Sequence, residues 1–169
     1  MRNIEVKARL LHPQSIRERL RRTTARFVAT LQQRDVFFAV PEGRLKLRFV
    51  NDVAELIFYR RTDSPTLRGS DYERLAIADG ESMMHLLDLA LSKLGEVRKV
   101  RQLYVVNNVR IHVDAVEGLG DFLEIEAVLD ADHDEEQCRH AAQELLTLLE
   151  IGPEAYESRA YIDLLSAAP

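Results

Sequence analysis

The stretch Val109-Arg110-Ile111-His112-Val113-Asp114-Ala115-Val116-Glu117-Gly118-Leu119-Gly120-Asp121-Phe122-Leu123-Glu124-Ile125-Glu126-Ala127-Val128-Leu129 decides how this chain folds. Arg110, His112 and Asp114 alternate with Ile111, Val113 and Ala115. After a break, Glu124 and Glu126 alternate with Leu123, Ile125 and Ala127. A period of two is the mark of a strand with two unlike faces. Gly118-Leu119-Gly120 reads as a three-residue hairpin loop, with Gly120 able to adopt a left-handed conformation. If Glu117 and Asp121 close that loop, Asp114 faces Glu124 and His112 faces Glu126. Directly opposed side chains have Cβ atoms about 4.5–5.5 Å apart, and opposed like charges destabilise a sheet. Carboxylates so placed require a cation, a shared proton or open solvent between them. Oxygen ligands of this kind suit Mg²⁺ or Mn²⁺.

The same alternation recurs outward from this hairpin. In Ile4–Leu10, Glu5, Lys7 and Arg9 share one face. In Arg44–Phe49, Arg44, Lys46 and Arg48 do. Ala54–Arg61 ends in Tyr59, Arg60 and Arg61, and Arg98–Val106 carries Lys99 and Arg101 among valines. A shorter strand fits Val36–Val40, ahead of a Pro41-Glu42-Gly43 turn. Helices fit between the strands. Pro13 suits a first helical position, and Ile16, Leu20, Phe27 and Leu31 form a broken apolar stripe. Glu81–Leu94 is a helix stopped by Gly95. Asp132 or Asp134 caps a helix over Glu135–Glu150, which ends at Gly152-Pro153. A last helix covers Glu154–Leu165, and Ser64–Asp71 reads as a loop. Strands outnumber helices and pair antiparallel, so the fold class is α+β. No linker, repeat or low-complexity tract divides the chain, so residues 1–169 read as one domain.

Composition excludes several classes. Of 169 residues, 46% are hydrophobic and 30% charged, a globular rather than a disordered profile. The 28 acidic and 23 basic residues give a net charge of -5, so no global basic field for nucleic acid exists. A single cysteine, Cys138, leaves no disulfide framework and no multi-cysteine zinc site. No apolar run is long enough to span a bilayer, and the N-terminus lacks a signal-peptide pattern. A cytoplasmic protein is the expectation. The charges are nonetheless sorted by sign on the strand faces. Several non-bridging phosphate oxygens need several Arg and Lys side chains at once, held on rigid strands. Carboxylates on one wall and cations on the other suit a metal-bound polyphosphate. A one-sided, solvated antiparallel sheet would show the same alternation.

These residues resemble a known family. Asn3-x-Glu5-x-Lys7, Lys46-Leu47-Arg48, Arg110-Ile111-His112-Val113-Asp114 and Gly120-Asp121-Phe122-Leu123-Glu124-Ile125-Glu126 resemble the CYTH family, also called triphosphate tunnel metalloenzymes. That family includes class IV adenylyl cyclases, thiamine triphosphatases and inorganic triphosphatases. The chain looks most like the class IV adenylyl cyclase branch, in Gly43–Arg48 and Val116–Asp121. The resemblance implies an antiparallel eight-stranded β-barrel, open at its ends as a triphosphate tunnel, with flanking helices outside. It implies a divalent-metal-dependent enzyme acting on a triphosphate such as ATP, with Mg²⁺ or Mn²⁺ as cofactor. Carried over by position, Glu5, Asp114, Glu124 and Glu126 would be metal ligands. Lys46, Arg48, Arg61, Lys99, Arg101, Arg110 and Arg159 would bind the triphosphate, and Lys7 and Glu5 would be catalytic. Membrane and nucleic-acid partners are not expected, and a homodimer is allowed. The chain departs from the family's Glu-x-Glu-x-Lys signature at Asn3. An Asn carbonyl ligates a hard cation without charge, so metal affinity should fall. The alternatives are a thiamine triphosphatase or inorganic triphosphatase, or, because of Asn3, a tunnel that binds a triphosphate or polyphosphate without turning it over.

Overall fold

The computed structural model describes residues 1–51, 53–61, 64 and 66–167. Eight antiparallel strands close into a barrel: β1 (Arg2–Leu10), β2 (Arg26–Phe38), β3 (Arg44–Val50), β4 (Val53–Arg61), β5 (Arg68–Ile77), β6 (Lys93–Val106), β7 (Val109–Val116) and β8 (Gly120–Val128). Around the barrel they run β1-β5-β4-β3-β2-β6-β7-β8. Closure removes both sheet edges, which would otherwise expose unpaired backbone groups. Four helices accompany it: α1 (Pro13–Leu20), α2 (Gly80–Ala90), α3 (Glu135–Leu148) and α4 (Tyr161–Ser166).

The alternation decides what lies inside. The apolar faces of β1, β6, β7 and β8 point outward, where Ile4, Ile111, Leu123 and Ile125 pack under Ile16 and Leu20 of α1 and Cys138, Ala142 and Leu146 of α3. On the other side, Val36, Phe38 and Leu47 pack under Met83, Met84 and Leu87 of α2. The principal core therefore lies between barrel and helices, which frees the barrel interior for charge. A third cluster sits within the barrel. Phe37, Val97, Val116 and Phe122 face inward near one end and enclose Tyr161, Ile162 and Leu164 of α4. That end is thus occupied by α4, and the expectation of a tunnel open at both ends is corrected.

Several sequence expectations are revised. The apolar stripe through Phe27 and Leu31 belongs to β2, not to a helix; α1 stops at Leu20. β-branched and alternating residues from Arg26 onward win over the weak helical stripe. Gly95 lies within β6 at φ 148°, where β2 and β6 shift register, and α2 ends earlier, at Ala90. Much of the stretch read as a loop over Ser64–Asp71 is the start of β5, paired with both β1 and β4; Pro65 lies outside the described residues. The last helix divides into a 3₁₀ turn at Pro153–Ala155 and α4. The cap of α3 is Asp134, in a reciprocal capping box with Gln137.

The central hairpin closes one residue earlier on each strand than expected. Val116 pairs with Gly120, so His112 faces Glu124, Arg110 faces Glu126 and Asp114 faces Phe122. Gly118 and Gly120 both take positive φ, 76° and 89°, which lets Glu117-Gly118-Leu119 make the turn. The shift spans two residues in total, so every side chain keeps its face. It also sets a cation opposite Glu126 instead of leaving two carboxylates opposed.

Candidate active site

Inside the barrel, the inward faces enclose a cavity of about 130 Å³. One water needs roughly 10–15 Å³ on this measure, so about ten waters would fill it. Its charged lining comprises eight cations, Lys7, Lys46, Arg48, Arg61, Arg74, Lys99, Arg101 and Arg110, against four carboxylates, Glu5, Asp35, Glu124 and Glu126. The chain is acidic overall while its interior is strongly basic.

Register builds this lining. Arg48 of β3 lies opposite Asp35 of β2. Asp35 accepts from Lys46 Nζ at 2.8 Å and from Arg48 Nε and Nη2 at 2.8 and 3.0 Å. Gln33 Nε2 adds a donor to Asp35 at 3.2 Å. Burial alone would raise the Asp35 pKa, but the Arg48 and Lys46 charges outweigh it and hold the carboxyl well below the usual range. Burial, with the neighbouring Arg48 charge, pushes Lys46 down to about 8 against the pull of Asp35.

A second cluster centres on Asp114, which faces Arg101 across β6 and β7. Lys99 Nζ donates to Asp114 at 2.8 Å, Arg101 at 2.7 and 2.6 Å, and the Tyr161 hydroxyl at 3.1 Å. Burial opposes ionisation there as well, and the Arg101 and Lys99 charges override it. Arg101 also donates to Glu124 at 2.5 Å. On β1, Glu5 accepts from Arg61 at 2.5 Å and from Arg68 at 3.3 Å. Lys7 donates to the Arg159 carbonyl and lies 4.3 Å above the Tyr161 ring. Burial brings the Lys7 pKa down to about 8; Glu124 opposes that shift, while Arg61 and Arg68 reinforce it.

Metal-ligating atoms gather beside these cations. The ligand atoms of His112, Glu124 and Glu126 lie within 4.8 Å of one another. His112 Nδ1 is 3.9 Å from Glu124 and 3.7 Å from Glu126, and it makes no hydrogen bond among the described residues. Asn3 Oδ1, on the same cavity wall, is also buried without a partner among them. A buried unpaired oxygen costs about 1–3 kcal/mol. An orphan carbonyl and orphan imidazole nitrogen beside carboxylates are what a hard divalent cation would satisfy. The gathered donors His112, Glu124 and Glu126, an imidazole and two carboxylates, are of the kind a divalent cation takes.

Of the residues proposed from sequence, Glu5, Lys7, Lys46, Arg48, Arg61, Lys99, Arg101, Arg110, Glu124 and Glu126 all line this one cavity. Asp114 does not; it is fully buried behind Lys99 and Arg101. Nor does Arg159, whose side chain is 52% exposed and paired with Glu157. Asp35, Tyr59, Tyr161 and Arg74 line the cavity without having been singled out. The alternation of Gln33, Asp35 and Phe37 was the available signal for Asp35, hidden by the apolar run Val36-Phe37-Phe38. For Tyr161 there was none, because it enters the barrel from a helix.

A closed eight-stranded barrel with a cation-rich interior and a carboxylate group defines a class of polyanion-binding tunnels. The CYTH domain matches residues 1–161, and the chain belongs to the CYTH family. A Methanocaldococcus jannaschii protein bearing the name "Putative adenylate cyclase MJ0240" is 23% identical over 177 residues, covering 97% of this chain and 98% of that protein. The PH1012 protein of Pyrococcus horikoshii superposes with a TM-score of 0.86 at 26% identity, over 96% of this chain and 98% of its own. A Vibrio parahaemolyticus protein, of the same adenylate cyclase description, shares the fold with a TM-score of 0.78 at 20% identity, over 98% of both chains. Among the described residues no helix is long and apolar enough to cross a membrane.

Proposed function

We propose that this protein is a divalent-metal-dependent enzyme acting on a triphosphate, converting ATP to cyclic AMP and pyrophosphate in the manner of a class IV adenylyl cyclase. The observation that carries the reading is the cavity inside the barrel, with eight cations against four carboxylates. An excess of positive charge held between the barrel walls favours a compact polyanion more than the same charges would on an open surface. The Methanocaldococcus relative's name directs the choice among triphosphate chemistries toward cyclisation.

Lys46, Arg48, Arg61, Lys99, Arg101 and Arg110 would grip the phosphate oxygens. Asp35 and Asp114 hold four of these side chains extended before any ligand arrives, so little ordering remains to be done on binding. Asn3, Glu5, Glu124 and Glu126 would hold Mg²⁺ or Mn²⁺, which would neutralise phosphate charge and lower the barrier to displacement. Lys7, near pKa 8, is partly neutral at mildly alkaline pH and would accept the proton of the ribose 3′-hydroxyl. The new bond joins that oxygen to the α-phosphorus; the bond to the bridging oxygen breaks, and pyrophosphate leaves with its electron pair.

A second reading has its own observation. Asn3 stands where the family signature has a glutamate, which removes one negative charge from the metal-facing wall. The same tunnel would then hold a triphosphate without turning it over. Incubation with ATP, thiamine triphosphate or tripolyphosphate, each with Mg²⁺ or Mn²⁺, separates the readings. Cyclic AMP and pyrophosphate are expected from ATP. Inorganic phosphate instead would make the protein a triphosphatase. Saturable binding without product would establish the second reading, and no binding of any of the three would overturn both.

A further inference from the structure

With α4 filling one end of the barrel, an organic group carried by a phosphate chain in the cavity would lie toward the opposite, open end. The strands there are asymmetric. β3 pairs with β2 only from Gln33 to Phe38, whereas β6 follows β2 from Phe38 back to Arg26. The β2–β6 ribbon therefore overhangs the mouth as a lip. Its inward face can be read from register. Leu31 lies opposite Arg101, Ala29 opposite Leu103, Leu103 opposite His112, and Val105 opposite Arg110. Opposed residues share a face, so Ala29, Leu31, Leu103 and Val105 lie on the inward face, next to Arg101 and Arg110. All four are partly exposed. Along the inward faces of β2 and β6, charge gives way to apolar side chains beyond Asp35 and Arg101.

We infer that this shelf binds the base of a nucleoside triphosphate, and that Leu31 and Leu103 distinguish such a substrate from an inorganic triphosphate. The inference rests on the triphosphate reading of the cavity. A flat heterocycle would remove this apolar surface from water, and its phosphates would extend inward past Arg101 and Arg110. The edge of β2 from Arg26 to Gln32, beyond its register with β3, would face the polar edge of the base. A bare polyphosphate would make no use of the shelf.

The test compares ATP with methyl triphosphate, which keeps the phosphate charge and lacks the base. Binding is measured by calorimetry with Mg²⁺ present. The wild-type protein is expected to bind ATP roughly tenfold more tightly. Leu31→Ser and Leu103→Asn should abolish that preference while leaving methyl triphosphate affinity within about twofold. Leu31→Tyr, which adds a stacking surface, should widen the preference, and serves should the polar variants misfold. Equal wild-type affinities, or parallel losses for both ligands, would overturn the shelf while leaving the polyphosphate cavity intact. Failure of both ligands to bind would remove the triphosphate reading and the shelf with it.

Discussion

The Tyr161 hydroxyl donates a hydrogen bond to Asp114 at 3.1 Å, tying the terminal helix α4 to the carboxylate that organises Lys99 and Arg101. Asp114 is therefore a counter-ion for the cationic wall of the cavity and the seat of the barrel's plug. Tyr161→Phe leaves the ring between Phe122 and Lys7 and removes only the hydrogen bond to a charged group. It should cost about 1.5–3 kcal/mol in urea unfolding. Asp114→Asn strips buried Lys99 and Arg101 of a counter-charge and should cost about 3–5 kcal/mol. Tripolyphosphate should restore more thermal stability to Asp114→Asn than to the wild type, because it supplies the missing negative charge. An equal thermal shift in both proteins would show that Asp114 does not compensate the same cations as the ligand.

The distinction between Arg48 and Arg159 can be tested directly. Both are arginines proposed for phosphate binding, but Arg48 lines the cavity while the Arg159 side chain lies against Glu157. A charge-assisted hydrogen bond contributes about 1.5–3 kcal/mol. Arg48→Ala should therefore weaken tripolyphosphate binding by roughly tenfold to a hundredfold. Arg159→Ala should change it by less than about twofold. Comparable losses in calorimetry would mean that Arg159 swings into the tunnel when the ligand binds.

The strand faces were legible in the sequence because a buried charge in a barrel must obey period two as strictly as a buried leucine. Glu5, Lys7, Lys46, Arg48, Lys99, Arg101, Glu124 and Glu126 all declare themselves by that parity. Parity survives a register error of two residues, which is why the hairpin misalignment moved Glu124 opposite His112 without moving it off the inner wall. What parity cannot reveal is depth. Asp114 has the right face, yet it lies behind two cations instead of among the cavity-lining groups. Nor does local pattern disclose residues that reach the barrel from elsewhere. Tyr161 arrives from the C-terminal helix, and β5 is broken by charge at Asp71, Glu73 and Arg74, so its alternation is not hydrophobic.

If Lys46 binds phosphate, fold stability and ligand affinity should respond oppositely to pH. Its folded pKa is about 8, against an ordinary 10.5. Between those values the unfolded chain carries a proton that the folded chain has released. Stability rises with pH wherever the unfolded state binds more protons. The Lys46 contribution should therefore destabilise the fold most below about pH 8 and be relieved progressively toward 10.5. Tripolyphosphate needs the protonated amine, so its affinity should fall over the same interval. Lys46→Met, which retains the packing but cannot titrate, should reduce both dependences, with Lys7, also held near 8, supplying the remainder. Urea unfolding and calorimetry across that range would check the pair, and a wild-type affinity that holds steady above pH 8 would remove Lys46 from the binding wall.

Asn3 offers the sharpest test of the proposed metal site, because its carbonyl oxygen is buried and unpartnered among the described residues while lying on the cavity lining. Ligand charge count is a principal determinant of divalent-cation affinity. Asn3→Glu replaces a neutral donor with an anionic one and should raise Mn²⁺ affinity by roughly tenfold. In the metal-free protein the same change buries a carboxylate near Glu5 and Glu126, since Glu5 faces Glu126 across β1 and β8. Like charges so confined oppose one another, so the variant should be less stable without metal and recover stability as Mn²⁺ is added. Glu126→Gln should act in the opposite sense, lowering Mn²⁺ affinity while relieving that repulsion. Titration of Mn²⁺ by electron paramagnetic resonance, with thermal unfolding of each variant at zero and saturating metal, reads both effects. If Asn3→Glu destabilises the protein equally with and without Mn²⁺, position 3 does not face the cation, and the second reading of the tunnel loses its structural basis.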